Sequence, residues 1–155
     1  MLDVDPAVGN LVFDEELLAR VAADSEGLDE AMADFYEAYF KVTESDSAWD
    51  GSRFVLTPET ARGFFTMLAG LEKSSAGLFA VKGQITGPIT FTTGLKDQNR
   101  QAIFYHETLR DAAVKLLALK AAWQVRQLRR FGVPVILFID ESALAGYGSS
   151  EFISI

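Results

Sequence analysis

The sequence predicts an α/β protein, because two apolar segments typical of strands flank a long helical pattern. The first segment is Leu78–Ile85, and the second is Val135–Ile139, in which five apolar residues follow one another without a break. A continuous apolar run that contains β-branched and aromatic residues is typical of a strand buried on both faces. The helical pattern between the two segments spans about Glu107 to Phe131. Together the three elements predict a parallel βαβ unit.

Composition limits the classes of protein to which the chain can belong. It has 155 residues, of which 49% are hydrophobic and 12% aromatic, so one domain with a packed core is expected. A net charge of −8 disfavours nucleic acids and anionic membrane surfaces as partners. We expect no membrane span and no secretion signal, since neither a long apolar run nor a basic, then apolar, N-terminus is present. The absence of cysteine excludes disulfides and thiolate metal sites within the chain, and fits a cytoplasmic location.

The first half of the chain is predicted to be mostly helical. Apolar and aromatic residues recur at helical spacing over residues 13–23 and again over 29–43, where an aromatic stripe indicates core or interface. We expect the whole chain, residues 1–155, to form a single domain. Within it, residues 1–77 are the helical region and residues 78–155 are the βαβ core.

Local residue types predict where the shorter elements begin and end. Thr57, Pro58 and Glu59 are typical of a helix start, because they supply a cap, a fixed φ angle and a negative charge in the first turn. This helix should end near Leu71. Residues 89–94 contain three threonines and are predicted not to be helical.

The long helix should bury one broad face. Lys120 and Gln127 interrupt this face, which predicts that one edge of it is wet. His106 precedes the helix and is interpreted as a capping or exposed residue. The residues predicted to face inward are Leu109, Ala112, Ala113, Leu116, Leu119, Trp123 and Phe131.

Two adjacent carboxylates, Asp140 and Glu141, follow the second apolar segment and are the first candidate site residues. In α/β folds, ligands bind at the carboxyl ends of parallel strands, which is where these two residues are expected to lie. The alternative is that both carboxylates only cap the next turn or helix.

Two strands are too few for a stable sheet with both faces covered. We therefore expect the chain to be a fragment of a larger α/β protein that exposes apolar surface and self-associates when it is alone. The alternative is a compact α+β domain whose N-terminal helices cover the sheet.

Three segments resemble the superfamily of uroporphyrinogen decarboxylases and cobalamin-independent methionine synthases. They are KGQITGPIT at 82–90, LRDAAVKLLALKAAWQVRQLRRFG at 109–132 and FIDE at 138–141. The resemblance covers about half of the chain, from residue 81 to 153, and is weaker before it. It implies that the chain is part of a (β/α)8 barrel.

The resemblance also implies roles for individual residues. In methionine synthases an Asp-Glu-Pro-Ala motif places its aspartate at the ammonium group of the substrate, and the matching residue is Asp140, followed by Glu141. Ser142 stands where the family often has proline. The Thr-Gly-Pro segment, here starting at Thr86, lies near the methyl donor in the family, and Gln84 is expected to point into the barrel.

The resemblance predicts the amino-terminal portion of a methyltransferase that transfers a methyl group to a thiol, with this chain alone inactive. Its partners would be a thiol amino acid and a methyl donor. The zinc ligands of the family come from a later part of the barrel, so we expect no metal or cofactor within this chain and allow zinc in the full-length protein. Alternatives are a relative of uroporphyrinogen decarboxylase or of corrinoid-dependent methyltransferases, or a non-enzymatic oligomerisation module. Arg53 and Arg62 are isolated, and no arginine-rich motif for porphyrin carboxylates is visible.

Overall fold

A computed structural model describes residues 25–97, 99–146 and 148. This part of the chain forms four α-helices and two β-strands, a mixed α/β arrangement that confirms the predicted class. The helix predicted at 13–23 lies outside the described residues. The elements are α1 (Ser25–Glu44), α2 (Arg62–Lys73), β1 (Val81–Thr86), α3 (Pro88–Gly94), α4 (Glu107–Arg129) and β2 (Val135–Asp140), with short 3-10 turns at Asp46–Trp49, Ile103–Tyr105 and Ser142–Gly146.

The sheet consists of β1 and β2, which pair in parallel as predicted. The register places Val81 beside Val135 and Thr86 beside Asp140, so that the two strands end at the same level. The backbone N–H of Gly87 continues the ladder by donating to the carbonyl of Asp140 at 2.8 Å. The helices α3 and α4 form the crossover between the strands. The two described strands do not by themselves show the predicted partial barrel.

The long helix α4 confirms the prediction and forms the centre of the core. It contributes buried residues to a large cluster shared with α1 and, through Leu128, to a smaller cluster with α2 and β1. The predicted wet edge at Lys120 is wrong, because this side chain is buried and its Nζ donates to the Arg53 carbonyl at 3.2 Å. His106 caps the helix, since its Nδ1 accepts from the Leu109 N–H.

The predicted start of α2 at Thr57 is wrong by one turn. Thr57 and Thr60 do form a reciprocal capping box, in which each hydroxyl accepts from the backbone N–H of the other residue. The turn ends at Ala61, whose φ of −140° is not helical, and α2 begins only at Arg62. The capping residues therefore close one isolated turn, and the helix follows it.

The prediction that residues 89–94 are not helical is also wrong, because they belong to α3. Within this short helix the Thr92 hydroxyl donates to the Pro88 carbonyl at 2.6 Å, and the Thr93 hydroxyl donates to the Ile89 carbonyl at 2.7 Å. Threonines whose hydroxyls bond the carbonyl four residues earlier are compatible with a helix. Thr92 is completely buried, and its bond to Pro88 satisfies the polar atom.

The two faces of the sheet are covered unequally, so the prediction of a second strand buried on both faces is wrong within the described residues. Side chains alternate between the faces of a strand. On the helix side, Val81 and Ile85 are buried and pack in the clusters around α4. On the other side Ile136 and Phe138 are 46% and 48% exposed. We call this second surface the open face; its residues are Lys82, Gln84, Thr86, Ile136, Phe138 and Asp140.

Candidate functional site

The carboxyl end of the sheet brings together three of the four candidate residues. Thr86 and Asp140 are neighbours in the register of β1 and β2, and Glu141 follows directly. Parallel strands end at one edge of a sheet, and in α/β proteins this edge borders the ligand site. Gln84 lies one pair further back on the open face, opposite Phe138.

Glu141 caps α3 with both oxygens of its carboxylate. One oxygen accepts from the Ile89 N–H at 2.9 Å, and the other accepts from the Thr90 N–H at 2.7 Å and the Thr90 hydroxyl at 2.8 Å. The first N–H groups of a helix have no partner within the helix, so a carboxylate can accept their hydrogen bonds. Its negative charge also interacts favourably with the positive end of the helix dipole. The Thr90 hydroxyl accepts in turn from the Ala143 N–H at 3.1 Å. Glu141 therefore fastens the end of β2 to the start of α3.

The Thr-Gly-Pro segment has a structural role in this contact. A Cβ atom on Gly87 would overlap the carboxyl group of Glu141, so that glycine is required for the carboxylate to reach the helix. Pro88 occupies the first turn of α3, where its missing N–H removes one unsatisfied donor. The sequence offered, as an alternative, that the acids cap the next turn or helix, whereas Glu141 caps α3, which precedes β2. No local pattern indicates this contact, since Thr90 and Glu141 are 51 residues apart.

The carboxylate of Asp140, unlike that of the adjacent Glu141, accepts no hydrogen bond from the described residues. Asp140 is half-buried on the open face, and none of the described residues forms an ion pair with it. Its backbone is fixed at the end of β2 by the bond from Gly87. The carboxylate is thus held in position by the strand while remaining open to a cationic group.

The middle of the open face combines an amide, an ammonium group and an aromatic ring. Lys82 Nζ lies 4.2 Å from the centroid of the Phe138 ring and 3.3 Å from Gln84 Oε1. A cation over an aromatic face is attracted by the quadrupole of the ring. Gln84 and Lys82 are both exposed, so that they can exchange these contacts for a ligand.

Two groups with shifted pKa values, Tyr36 and Asp111, meet between α1 and α4. The Tyr36 hydroxyl donates to Asp111 Oδ2 at 2.6 Å, and Lys115 forms an ion pair with the same carboxylate. Burial, and then the bond to Asp111, raise the pKa of Tyr36 to about 12. The hydrogen bonds from Lys115 and from Tyr36 lower the pKa of Asp111. This contact joins two helices, and Tyr36 packs against the core cluster, so we assign the contact to stability.

The described residues do not fit a zinc site. No group of three His, Cys, Asp or Glu side chains within them could hold a metal ion together. The single histidine, His106, uses its Nδ1 to cap α4, and the chain contains no cysteine. This donor set lacks the nitrogen and sulfur ligands that zinc prefers.

No protein-family model matches the chain, and no curated protein or solved structure shows significant similarity to it. A function for this chain is therefore inferred from the geometry of the open face. Among the described helices, none combines the length and the apolar character needed to cross a bilayer.

Proposed function

We propose that the chain is part of a cytoplasmic methyltransferase that transfers a methyl group to a thiol, and that Asp140 binds the ammonium group of the thiol amino acid. In this proposal the βαβ unit belongs to a (β/α)8 barrel, and the open face lines the interior of the barrel. The observation that carries the proposal is the unequal use of the two adjacent acids. Glu141 is engaged by α3, whereas the carboxylate of Asp140 has no partner among the described residues.

The position of Asp140 suits recognition of a substrate. It lies at the carboxyl end of a parallel strand and beside the Thr86 position of β1, on a face that no helix of the described residues covers. A carboxylate pairs with an ammonium group through short, charge-assisted hydrogen bonds. Because the backbone of β2 holds Asp140 in place, little conformational freedom is lost when a substrate binds.

Gln84 and Thr86 complete the proposed binding surface. Both residues lie on β1 and face the same side as Asp140. An amide and a hydroxyl can each donate to, or accept from, the carboxylate and donor groups of small molecules. Their contribution is to orient the thiol amino acid and the methyl donor towards each other, which accelerates a transfer between two bound molecules.

Activation of the thiol is not assigned to this chain. Since its described residues do not fit zinc, any thiolate-forming group would have to be supplied by other parts of the protein. We therefore expect the 155-residue chain alone to bind weakly and to be catalytically inactive.

The test is the affinity of the full-length protein for L-homocysteine, measured by isothermal titration calorimetry. Asp140→Asn should weaken binding by roughly 10- to 100-fold, the effect of losing one charge-assisted hydrogen bond. Asp50→Asn, which removes the same charge from an exposed loop, should bind like the wild type. The thiol 4-mercaptobutanoate lacks the amine and should bind both proteins equally. Equal affinity of wild type and Asp140→Asn for L-homocysteine would remove Asp140 from the site.

A second candidate function, association between copies, is favoured by a different observation. Ile136 and Phe138 are 46% and 48% exposed and form an apolar strip along the open face of β2. Exposed apolar strips of this kind are typical of interfaces. Analytical ultracentrifugation of the full-length protein distinguishes the two candidates. A stable oligomer that Phe138→Ser dissociates would support an association module, and a monomer would exclude it.

A further inference from the structure

Lys82 is the basic residue of the open face, and two neutral neighbours hold its ammonium group. Nζ lies 4.2 Å from the centroid of the Phe138 ring and donates to Gln84 Oε1 at 3.3 Å. The ring attracts the cation through its quadrupole, and the amide oxygen accepts one of its hydrogen bonds. The side chain of Lys82 therefore crosses from β1 to β2 and places its charge over the middle of the open face.

The charge of Lys82 is available to an anionic ligand. Within the part of the chain that the structure describes, no Asp or Glu forms an ion pair with it. An ammonium group has three donors, and the bond to Gln84 uses one of them. The net charge of the chain is −8, so an anion needs a local cation such as this one to bind.

The ammonium group of Lys82 and the carboxylate of Asp140 are close enough for one small ligand to contact both. Phe138, which lies under Nζ, precedes Asp140 by two residues, so its side chain is on the same face of β2. At a rise of about 3.3 Å per residue, the two charges are roughly 7 Å apart along the strand. Charge-assisted hydrogen bonds of about 2.8 Å at each end leave room for only a short ligand segment between them. The ammonium and carboxylate groups of an α-amino acid, which are joined through one carbon atom, form such a segment.

The backbone that carries Lys82 is fixed on both edges of β1. One edge pairs with β2, and the other is bound by the side-chain amide of Gln124. Its Nε2 donates to the Gln84 carbonyl at 3.1 Å, and its Oε1 accepts from the Gln84 N–H at 3.4 Å. Gly83 permits this approach, because a Cβ atom there would lie 3.1 Å from Gln124 Oε1. Lys82 and Gln84 therefore start from a rigid strand, which favours a defined binding geometry.

We infer that Lys82 binds the α-carboxylate of the substrate while Asp140 binds its ammonium group, so that the open face recognises a free α-amino acid. The inference rests on the proposed function for the ammonium half of the site and adds the carboxylate half. A ligand that lacks either charge loses one charge-assisted contact and leaves a charged side chain unpaired. The site thus discriminates against amines, and against amino acids whose carboxylate is part of an amide or peptide bond.

The test compares three ligands of the full-length protein by isothermal titration calorimetry. L-Homocysteine carries both charges, L-homocysteine amide carries only the ammonium group, and 4-mercaptobutanoate carries only the carboxylate. The wild type should bind L-homocysteine roughly ten-fold or more tightly than its amide. Lys82→Met should weaken the binding of L-homocysteine and of 4-mercaptobutanoate by roughly the same factor, and leave the affinity for the amide unchanged.

Further variants separate a specific contact from general attraction. Lys82→Arg keeps the charge and should retain most of the affinity for L-homocysteine. Lys73→Met removes a charge from an exposed position outside the open face and should have no effect. Phe138→Leu keeps an apolar side chain but removes the ring that holds the ammonium group. It should weaken the binding of L-homocysteine by a smaller factor than Lys82→Met does, again without an effect on the amide, which identifies Phe138 as a positioning residue.

Two results would overturn the inference. One is that the wild type binds L-homocysteine amide as tightly as L-homocysteine, and the other is that Lys82→Met binds L-homocysteine like the wild type. If Asp140→Asn still weakens binding in either case, the proposed function is retained and only the role of Lys82 is lost. The opposite pattern, in which Lys82→Met weakens the binding of 4-mercaptobutanoate and Asp140→Asn changes no affinity, would refute the proposed function and support the carboxylate contact of Lys82.

Discussion

The two faces of the sheet are built from the same two strands but have different surroundings. On the helix side, Val81, Gly83 and Ile85 are closed off by α4 and contribute to the packed core. On the open face, Lys82 and Phe138 contact each other and remain exposed. The alternation of side chains along the two strands therefore directs one set of residues into the core and leaves the other set accessible from outside the described residues.

Two neighbouring acids show the same division between a residue held in structural contacts and a residue left accessible. Glu141 holds the start of α3 and has three donors, whereas Asp140 lies on the open face without a donor among the described residues. A charge with well-aligned donors contributes to folding, and a charge without them is available for binding. The following predictions test this division from the largest expected effect to the smallest.

The largest effect is expected on the helix side. Trp123→Ala should lower the free energy of unfolding by about 3–5 kcal/mol, because the buried indole packs against the rings of Phe64 and Phe65. The measurement is urea unfolding followed by circular dichroism. Val114→Ala, on the exposed side of the same helix, should cost less than about 1 kcal/mol. Equal losses in the two variants would mean that α4 does not pack as described.

The two acids should respond differently to removal of their charge. Glu141→Gln should cost about 1–3 kcal/mol, since charge-assisted bonds to the N-terminus of α3 are weakened. Asp140→Asn should change stability by less than about 0.5 kcal/mol, as expected for a substitution away from structural contacts. Thermal unfolding of both variants in parallel provides the comparison. A larger loss in Asp140→Asn than in Glu141→Gln would reverse the roles proposed for them.

The contact between Tyr36 of α1 and Asp111 of α4 predicts that the free energy of unfolding depends on pH. The pKa of Tyr36 is raised from 10.0 to about 12, so that the folded state keeps the hydroxyl protonated longer than the unfolded state does. The resulting stability is fully present below pH 10 and is lost as the pH rises from 10 towards 12. Tyr36→Phe should reduce this alkaline loss, measured by urea unfolding at pH 8, 10 and 11. An identical pH profile of variant and wild type would contradict it.

The smallest effect on stability is expected on the open face. Phe138→Ser removes a half-exposed ring and its contact with Lys82, which should cost less than about 1 kcal/mol. The same variant should weaken self-association of the chain in analytical ultracentrifugation, because it interrupts the apolar strip of β2. A loss of several kcal/mol would indicate that this face is covered in the folded chain.

The parts of the fold that the sequence predicted correctly have local causes. The apolar run of β2 and the long amphipathic pattern of α4 are readable over consecutive residues, and Gly132 and Pro134 mark the boundary between them. The aromatic spacing of α1 is equally local. These patterns were sufficient for a parallel βαβ unit, because a long crossover joins parallel strands.

The parts that were wrong depend on distant residues. The short helix α3 is completed by Glu141, which follows Thr90 by 51 residues, and no local pattern contains that information. Lys120 interrupts an apolar face in the sequence, but the fold buries it beside the Arg53 carbonyl, 67 residues earlier. Of the four candidate site residues, Asp140, Gln84 and Thr86 face one surface, while Glu141 is committed to α3. The roles of the first three in binding stay predictions.

The most direct test of the division is the chemical reactivity of the two acids in the folded chain. Carbodiimide-activated coupling of glycine ethyl ester, followed by peptide mass spectrometry, reports the modification rate of each carboxylate. We predict that Asp140 reacts at least ten-fold faster than Glu141, and that the two rates become equal in concentrated urea. Equal rates in the folded chain, or faster reaction at Glu141, would contradict the assignment of one acid to the ligand and the other to the fold.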